Sequence, residues 1–395
     1  MNNSTICPGF MAAGIAAQIK KKGVIDLGLI YSEKDASVAG VFTNSLVQAA
    51  PVILDKKRVE SGKCRAIIVN SGNANCCTGE QGMVHAVAMT EFIASRLNLP
   101  EEKVLVASTG VIGEPFPINR VKTAVPGLIE ALNPHGFKNL ARSIMTTDTV
   151  EKLIFRHKEI NGKKITIAGV AKGAGMIRPD MATMLCFICT DAGIAPDLLH
   201  TLLLSATKKS FNKITIDGDT STNDTVIIMA NNDSRVTIEN KAEINIFQQL
   251  LDDLLLSLAK MLVKDGEGVT KFVEVIVKGA ENNKDAGKIA DTIANSNLVK
   301  TAFFGEDANW GRIIAAAGRA GAQINQDLID IYFDDVMMVK NGMGCGKDVE
   351  ALATKVLKKS EFVLTIDLKI KSGSASVFTC DFSVDYVKIN ADYRT

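Results

Sequence analysis

Apolar residues occur in short runs separated by polar and glycine-rich segments, and their spacing changes along the chain. Short runs rich in β-branched side chains predict buried strands, whereas longer stretches with apolar residues at helical spacing predict amphipathic helices. The two types alternate irregularly, which favours an α+β fold over a regular βαβ series. The predicted strands are 24–31, 39–43, 52–54, 66–69, 104–107, 153–159, 164–170, 184–190, 214–216 and 225–229, and the predicted helices are 81–97, 196–208 and 242–263.

Two segments allow a more specific prediction. Asn161-Gly162 separates two strand-like runs and suits a type I′ turn, so a β-hairpin is expected there that leads directly into Lys172. Near the other end, residues 362–395 alternate in the manner of paired strands. Both halves of the chain are therefore expected to be rich in β-structure.

Composition places the chain among ordinary globular proteins. At 395 residues it is too long for one small core, so two domains or lobes are expected. Hydrophobic residues make up 47%, and the formal charge of +1 offers no reason to expect nucleic acid or an anionic membrane as partner. No apolar run reaches the roughly 18–20 residues that span a bilayer. The N-terminus is a poor secretory signal, so we expect a cytoplasmic protein.

The eight cysteines and four histidines are scattered and indicate no metal or Ser-His-Asp site. Cys186 and Cys189 have CxxC spacing, but they lie in a strand-like run, where side chains three positions apart point to opposite faces. We therefore interpret them as core residues. The acidic segment 217–228 lacks the glycine and glutamate of a calcium loop, and 342–347 lacks the spacing of a phosphate loop.

The most informative segment is a glycine-rich loop that runs from Lys172 to Ala182 and Thr183, followed by an apolar strand-like run. This layout is expected of a threonine nucleophile that becomes N-terminal by self-cleavage. The Thr183 hydroxyl would attack the preceding carbonyl, the ester would hydrolyse, and the new α-amine would serve as base for the hydroxyl. The alternative is a plain glycine and proline loop that enters a buried strand.

Acyl transfer by such a nucleophile requires hydrogen-bond donors for the oxyanion. Ser108-Thr109-Gly110 follows a predicted strand and could supply a hydroxyl and a backbone N–H, although a plain turn would look the same. Lys172 could fold back over the site and neutralise a substrate carboxylate, the alternative being an exposed surface lysine. The residue types alone leave both alternatives open.

Two further segments are candidates for substrate binding. The run 145–149 is dense in hydroxyls and includes Thr146 and Thr147, which could hydrogen-bond an amino-acid substrate or cap the next element. Glu267 lies between two glycines and could receive a substrate ammonium, or it could be solvated as an ordinary loop carboxylate. These positions are weaker candidates than the threonine loop.

Specific motifs recur in order along the whole chain, and together they carry a resemblance. They are Ala39-Gly-Val-Phe-Thr43, Val69-Asn-Ser-Gly-Asn-Ala-Asn75, Ser108-Thr-Gly-Val-Ile-Gly113, Met145-Thr-Thr-Asp-Thr149, the loop from Lys172-Gly to Thr183-Met-Leu185, Ile216-Asp-Gly-Asp-Thr-Ser-Thr-Asn-Asp-Thr225, Asp265-Gly-Glu-Gly268, Asn309-Trp-Gly-Arg312 and Ile389-Asn-Ala-Asp-Tyr-Arg-Thr395. With these motifs the chain resembles the glutamate N-acetyltransferase family of arginine biosynthesis, also called the ornithine acetyltransferase family. Two positions depart from the family pattern: Ala174 stands where serine is expected, and Ala308 where proline is expected.

The resemblance implies an αββα sandwich with two β-rich lobes and self-cleavage between Ala182 and Thr183. The products would be an α chain, residues 1–182, and a β chain, residues 183–395, which stay together as a dimer of αβ units (α2β2). Thr183 would be the nucleophile that carries the acetyl group. The oxyanion would be held by Thr109 and Gly110, and the substrates by Thr146, Thr147, Lys172, Thr183, Glu267, Asn390 and Thr395.

The implied activity is a ping-pong transfer of an acetyl group from N2-acetyl-L-ornithine to L-glutamate, without a metal or organic cofactor. The products are L-ornithine and N-acetyl-L-glutamate. One alternative is a bifunctional member that also accepts acetyl-CoA. Another is an aminopeptidase or amidase on the same scaffold, in which water resolves the acyl-enzyme. A third is an unprocessed amino-acid-binding or scaffold protein.

Overall fold

The computed structural model describes residues 6–178 and 184–392. The chain divides into two compact units: unit 1 comprises Met1–Asn212 and Asp219–Leu262, and unit 2 comprises Lys213–Gly218 and Val263–Thr395. Each unit contains its own sheet, which agrees with the expectation of two β-rich lobes. The predicted cleavage position, Ala182–Thr183, does not coincide with this division and lies outside the described residues.

Unit 1 is built on one sheet, to which eight strands of the described chain contribute. Its elements are β1 (Phe10–Ile15), β2 (Leu27–Phe42), α1 (Ala50–Arg58), β3 (Lys63–Asn73), α2 (Gly79–Leu97), β4 (Val104–Val111), α3 (Ile118–Glu130), α4 (Phe137–Ile144), β5 (Lys152–Ile160), β6 (Lys163–Lys172), β7 (Leu185–Thr190), α5 (Pro196–Lys209), β8 (Thr225–Ala230) and α6 (Lys241–Lys264). The strand order is β4-β3-β2-β8-β7-β6-β5, and β1 pairs with β2. The pairs β3–β4 and β7–β8 are parallel, and the other neighbours are antiparallel.

Helices cover both faces of this sheet, as β3 illustrates. Ile67 and Val69 pack into a core cluster with α4, whereas Ala66 and Ile68, one position out of step, pack into another cluster with α2 and α3. Because strand side chains alternate between the two faces, a strand that is buried on both sides consists of a continuous apolar run. The apolar run 66–69 therefore predicts this strand correctly.

Unit 2 has a six-stranded sheet with the order β12-β11-β10-β13-β9-β14 among the residues that the structure describes. Its elements are β9 (Phe272–Ala280), α7 (Asn283–Ala294), α8 (Asn297–Phe304), α9 (Trp310–Gly318), β10 (Asp330–Phe333), β11 (Val336–Lys340), β12 (Met343–Gly344), α10 (Lys347–Leu357), β13 (Glu361–Asp367), β14 (Gly373–Cys380) and α11 (Val384–Ala391). Among the strands of the described residues, only β9 and β13 are parallel neighbours in this sheet. Helices and sheets combine in both units, so the predicted α+β sandwich class is confirmed.

The predicted hairpin is confirmed in detail. β5 and β6 pair antiparallel throughout, ending at Ile160 opposite Lys163. Asn161 and Gly162 have φ values of 52° and 71°, the left-handed backbone that a type I′ turn requires. Cys186 and Cys189 are buried in β7, where burial raises the pKa of both thiols, in agreement with their interpretation as core residues. Within the described ranges, no helix is long and apolar enough to cross a bilayer.

Two predicted strands near the sheet edges are wrong. Residues 52–54 lie in α1, where Val52, Asp55 and Arg58 are buried at the three-residue spacing of one helical face. A short apolar run does not distinguish a strand from a buried helical turn. Residues 214–216 form no strand either, because the chain there makes only an isolated bridge between Ile214 and Phe378.

The prediction of paired strands over 362–395 is correct in part. β13 and β14 occur as expected, but each of them pairs with β9 rather than with the other. After β14 the chain forms the helix α11, which begins where the Ser383 side chain accepts a hydrogen bond of 3.2 Å from the Tyr386 N–H. Such a serine N-cap outweighs the weak alternation of the residues that follow it.

Candidate active site

The candidate oxyanion residues lie at the end of β4, beside β3. Thr109 pairs with Ser71 and Gly110 with Gly72. Gly110 has a φ of +133°, and a Cβ at this position would lie 2.3 Å from the carbonyl carbon of Gly72. The close approach of the two strands therefore requires glycine at position 110. A strand end that is this tightly paired presents its backbone in one conformation.

Two asparagine side chains fix the same strand end. The Asn223 side-chain amide donates to the carbonyls of Ser108 and Ala74, at 2.8 Å and 2.7 Å. The Ser108 hydroxyl in turn donates to Oδ1 of Asn70 at 2.6 Å. All of these polar side chains are buried. Thr109 and Gly110 are thus held rigidly before any substrate arrives, as electrostatic stabilisation of a transition state requires.

Lys172 ends β6 and is buried, not an exposed surface lysine, with a relative exposure of 3%. Its ammonium donates to Oγ1 of Thr109 at 3.2 Å. Because the Thr109 oxygen accepts this bond, the Thr109 hydroxyl hydrogen is able to point toward another acceptor. The structure therefore brings together two residues that the sequence analysis nominated separately, 63 positions apart.

Asp148 connects Lys172 with the hydroxyl-dense run. Its Oδ1 accepts from the Lys152 ammonium and from the Gly173 N–H, both at 2.7 Å, and its Oδ2 accepts from the Thr146 N–H at 3.0 Å. Burial alone would raise the pKa of this carboxyl, but the charges of Lys172 and Lys152 and the Gly173 N–H lower the pKa to about 2. A buried, ionised Asp148 thus positions the Thr146 backbone, while Thr147 follows half-buried.

Lys20 provides a second ammonium near Lys172 and Asp148. It donates to the carbonyl of Met145 at 2.8 Å, immediately before Thr146. Burial lowers the pKa of the Lys20 ammonium and the charge of Lys172 adds to this effect, while the Asp26 and Asp148 carboxylates oppose it. Lys20 is not among the residues that the sequence nominates, because it lies in the run Lys20-Lys-Lys22, which is typical of a solvated surface.

The chain beside the predicted nucleophile is held by Asp224. Oδ1 of Asp224 accepts from the Met184 N–H at 3.0 Å, and Met184 directly follows Thr183 in the sequence. Oδ2 is buried and has no hydrogen-bond partner among residues 6–178 and 184–392. Burial raises the pKa of this carboxyl well above its usual range. Ala182 and Thr183 themselves lie outside the described residues.

In unit 2, Glu267 and Asn390 contact each other. The Asn390 amide donates to Oε2 of Glu267 at 2.7 Å and to the Tyr386 carbonyl at 3.1 Å. Gly268 allows this arrangement, since a Cβ there would lie 2.5 Å from the Tyr386 nitrogen. Glu267 is buried rather than solvated. The last candidate, Thr395, lies outside the described residues.

Comparison with known proteins shows the family to which the chain belongs. Residues 11–395 match the family model described as the ArgJ family. The chain belongs to the ArgJ family. This membership confirms the resemblance that the sequence motifs carry, and it covers nearly the whole chain.

Two relatives in the ArgJ family illustrate the similarity. The arginine biosynthesis bifunctional protein ArgJ of Geobacter sulfurreducens is 53% identical over 389 residues, which are 98% of this chain and 99% of that protein. The protein of the same name from Syntrophotalea carbinolica is 50% identical over 389 residues, again 98% of this chain and 99% of its own.

A solved structure in the ArgJ family is also similar. The crystal structure of arginine biosynthesis bifunctional protein argJ from Bacillus halodurans has 40% sequence identity and a TM-score of 0.50. The match covers 52% of this chain and 97% of that one. The ArgJ relatives are thus similar to this chain in sequence over their full length.

Proposed function

We propose that the protein transfers an acetyl group from N2-acetyl-L-ornithine to L-glutamate through an ester on Thr183. The observation that carries the proposal is the buried Lys172 ammonium, which donates to the Thr109 hydroxyl beside the glycine-restricted Gly110. A hydroxyl and a backbone N–H on a rigid strand end are suitable donors for the oxyanion of acyl transfer. Membership of the ArgJ family, whose relatives are named for arginine biosynthesis, supports the same reaction.

The first step in the proposal is self-cleavage. The Thr183 hydroxyl attacks the Ala182 carbonyl carbon, the Ala182–Thr183 amide bond breaks, and its nitrogen takes up the hydroxyl proton. Water then hydrolyses the ester, leaving a carboxylate on Ala182 and a free α-amine on Thr183. The α chain 1–182 and the β chain 183–395 remain together, and we propose that two such pairs form an α2β2 assembly.

Acetyl transfer then takes place in two half-reactions. The Thr183 α-amine removes the proton of its own hydroxyl, and the oxygen attacks the acetyl carbonyl of acetylornithine. The Thr109 hydroxyl and the Gly110 N–H hold the oxyanion. When the carbon–nitrogen bond breaks, the ornithine amine leaves with the proton. The amine of glutamate then attacks the Thr183 ester, which yields N-acetylglutamate and restores the hydroxyl.

The remaining residues hold the two amino acids. Lys172 neutralises a substrate carboxylate, and the Thr146–Thr147 segment contributes hydrogen bonds. Glu267 accepts a substrate ammonium and is oriented by Asn390. Thr395 would add a further contact at the C-terminus. A cationic and an anionic partner within the candidate set match the opposite charges of an amino-acid substrate.

The relatives are named bifunctional, so acetyl-CoA is the second donor to consider for this chain. We propose acetylornithine as the principal donor, because the candidate residues provide opposite charges for an amino acid. Incubation of the purified protein with glutamate and each donor in turn distinguishes a monofunctional from a bifunctional enzyme. Acetate release from acetylornithine without glutamate, at the rate of transfer, would indicate an amidase instead.

The decisive experiment combines intact mass and N-terminal sequencing of the wild type and Thr183→Ala with an acetyl-transfer assay. The wild type should give two chains, one of which begins at Thr183, and should transfer acetyl groups. Thr183→Ala should remain a single inactive chain. A wild type that transfers acetyl groups as one uncleaved chain would contradict the α-amine as base. Absence of both cleavage and transfer would indicate the binding or scaffold protein.

A further inference from the structure

The backbone around Lys20 is held firmly by one buried carboxylate. Asp26 is fully buried, and its two oxygens accept the backbone N–H groups of Ala17 and Lys20, at 2.6 Å and 2.8 Å. These bonds close the loop between β1 and β2 and fix the position from which the Lys20 side chain departs. Lys20 is therefore a defined part of unit 1 and not a freely moving surface lysine.

The Lys20 side chain extends along the strand pair that carries the oxyanion residues. A Cβ on Gly72 would lie 2.6 Å from Cγ of Lys20, so the lysine stem covers Gly72. Gly72 is the strand partner of Gly110. Glycine at position 72 thus makes room for the stem, which lies against the end of β3, and the ammonium reaches the Met145 carbonyl in the hydroxyl-dense run.

The ammonium of Lys20 has hydrogen-bonding capacity to spare. A lysine ammonium has three N–H donors. Across the part of the chain that the structure describes, its one acceptor is the neutral carbonyl of Met145, at 2.8 Å. The Asp26 oxygens already accept backbone bonds, and the Asp148 carboxylate is bound by Lys152 in an ion pair whose side chains are both fully buried. Lys20 thus keeps two donors and a positive charge for a ligand.

Among the described residues of unit 1, three lysines, Lys20, Lys152 and Lys172, lie near Asp148. Two further carboxyl groups act on these lysines: Asp26 on Lys20, and Asp224, whose raised pKa favours its neutral form, on Lys172. Partial burial and the mutual repulsion of the cations make an anion at this position favourable. A carboxylate is the anion that an amino-acid substrate offers.

The charges of the two substrates determine which substrate carboxylate Lys20 can bind. Ornithine has a cationic side chain and glutamate an anionic one, and the same site receives both in turn. A fixed ammonium beside the side chains would repel the ornithine amine. Both substrates share the α-carboxylate, which is also the group nearest to the acetylated nitrogen. We infer that Lys20 binds the α-carboxylate of both amino-acid substrates, together with Lys172; this inference rests on the proposed function.

Lys20→Gln tests the inference, because glutamine keeps an N–H donor on a side chain one atom shorter and removes the charge. Lys21→Gln and Lys22→Gln are matched controls on exposed neighbours. We expect KM for acetylornithine and for glutamate to rise roughly ten- to hundredfold in Lys20→Gln, the range for losing a charge-assisted hydrogen bond, with a much smaller change in kcat. Lys20→Arg should restore most of the affinity. Thermal unfolding and chain cleavage of each variant show whether the fold is intact.

A donor without the carboxylate separates binding from structural damage. N-acetylputrescine is acetylornithine that lacks its α-carboxylate, so Lys20→Gln and the wild type should use it equally well. Three results would overturn the inference. The first is a difference in activity between Lys20→Gln and the wild type that persists with N-acetylputrescine as donor. The others are a KM increase for glutamate alone and equal KM values for Lys20→Gln and Lys21→Gln. A wild type that transfers no acetyl group would overturn the proposed function itself and the assignment of Lys20 with it.

Discussion

The ammonium of Lys172 lies 3.2 Å from the hydroxyl oxygen of Thr109, and both residues are buried. A donated bond from Lys172 leaves the Thr109 hydroxyl hydrogen available for an oxyanion. Lys172 therefore has two roles in the proposed mechanism: it attracts a substrate carboxylate and it orients an oxyanion donor.

Replacement of Thr109 by alanine removes one oxyanion donor. We expect kcat for acetyl transfer to fall roughly 100- to 1000-fold, because each such donor acts mainly in the transition state. Steady-state kinetics measures the effect, and Thr109→Ser, which retains a hydroxyl, should keep most of the activity. An unchanged kcat in Thr109→Ala would remove Thr109 from the oxyanion site.

Gly110→Ala should destabilise the protein more than Gly113→Ala does. The new Cβ at position 110 would lie 2.3 Å from a Gly72 backbone carbon, whereas nothing lies within 4 Å of a Cβ at position 113. Both glycines have positive φ, so both variants lose roughly 1–2 kcal/mol from backbone conformation, and Gly110→Ala adds the clash. The melting temperatures of the two variants, measured by thermal unfolding, test this difference. Equal melting temperatures would contradict the close approach of β3 and β4.

Glu267→Gln should raise KM for acetylornithine roughly ten- to hundredfold, since a substrate ammonium would lose its charged acceptor. Asn390→Ala should have a smaller effect in the same direction, because Glu267 loses the 2.7 Å bond that orients it. Lys388→Ala, also on α11 and exposed, is the control and should behave as the wild type. If both Glu267→Gln and Asn390→Ala leave KM unchanged, this contact does not serve substrate binding.

Asp148 should make stability depend on acid pH. The pKa of Asp148 is lowered from 3.8 to about 2. The ionised carboxylate therefore contributes to the free energy of unfolding above about pH 4, and this contribution is lost as the pH falls through about 2. The pH-dependent part amounts to about 2 kcal/mol at pH 7. We expect Asp148→Asn to lower the free energy of unfolding at pH 7, with the gap to the wild type narrowing between pH 4 and pH 3 in urea titrations. A gap that is independent of pH would contradict the lowered pKa.

Asp224 should have the opposite dependence. Burial raises the pKa of the Asp224 carboxyl in the folded protein above its value of about 4 in the unfolded chain. The free energy of unfolding is therefore highest at low pH and decreases as the pH rises above about 4. Asp224→Asn should therefore be more stable than its parent at pH 8 and similar to it near pH 4. Thermal unfolding in the uncleaved Thr183→Ala background measures this without a new α-amine nearby, and the exposed Asp335→Asn is the control.

Local patterns predict the elements whose conformation is set by their own residues. The Asn161–Gly162 turn and the apolar runs of β3 and β7 are correct because backbone preference and burial agree there. The strand predicted for residues 52–54 is wrong because three apolar residues fit either a strand or a helical turn. The strand predicted for 214–216 is wrong because this segment makes only an isolated bridge to Phe378. In the candidate site, Thr109, Lys172 and Glu267 could be nominated from residue type and position.

The sequence by itself determined the α+β class, the family and the motifs that carry the candidate chemistry, because these depend on local spacing and on the order of residues. Only the tertiary structure decided that Lys172 is buried against Thr109, that Asp148 is ionised between two lysines, and that Lys20 reaches the same place. The physical reason is that burial and charge depend on which distant segments the sheet brings together. A lysine considered in the sequence alone is expected to be a solvated cation, whereas the fold buries Lys172 against Thr109.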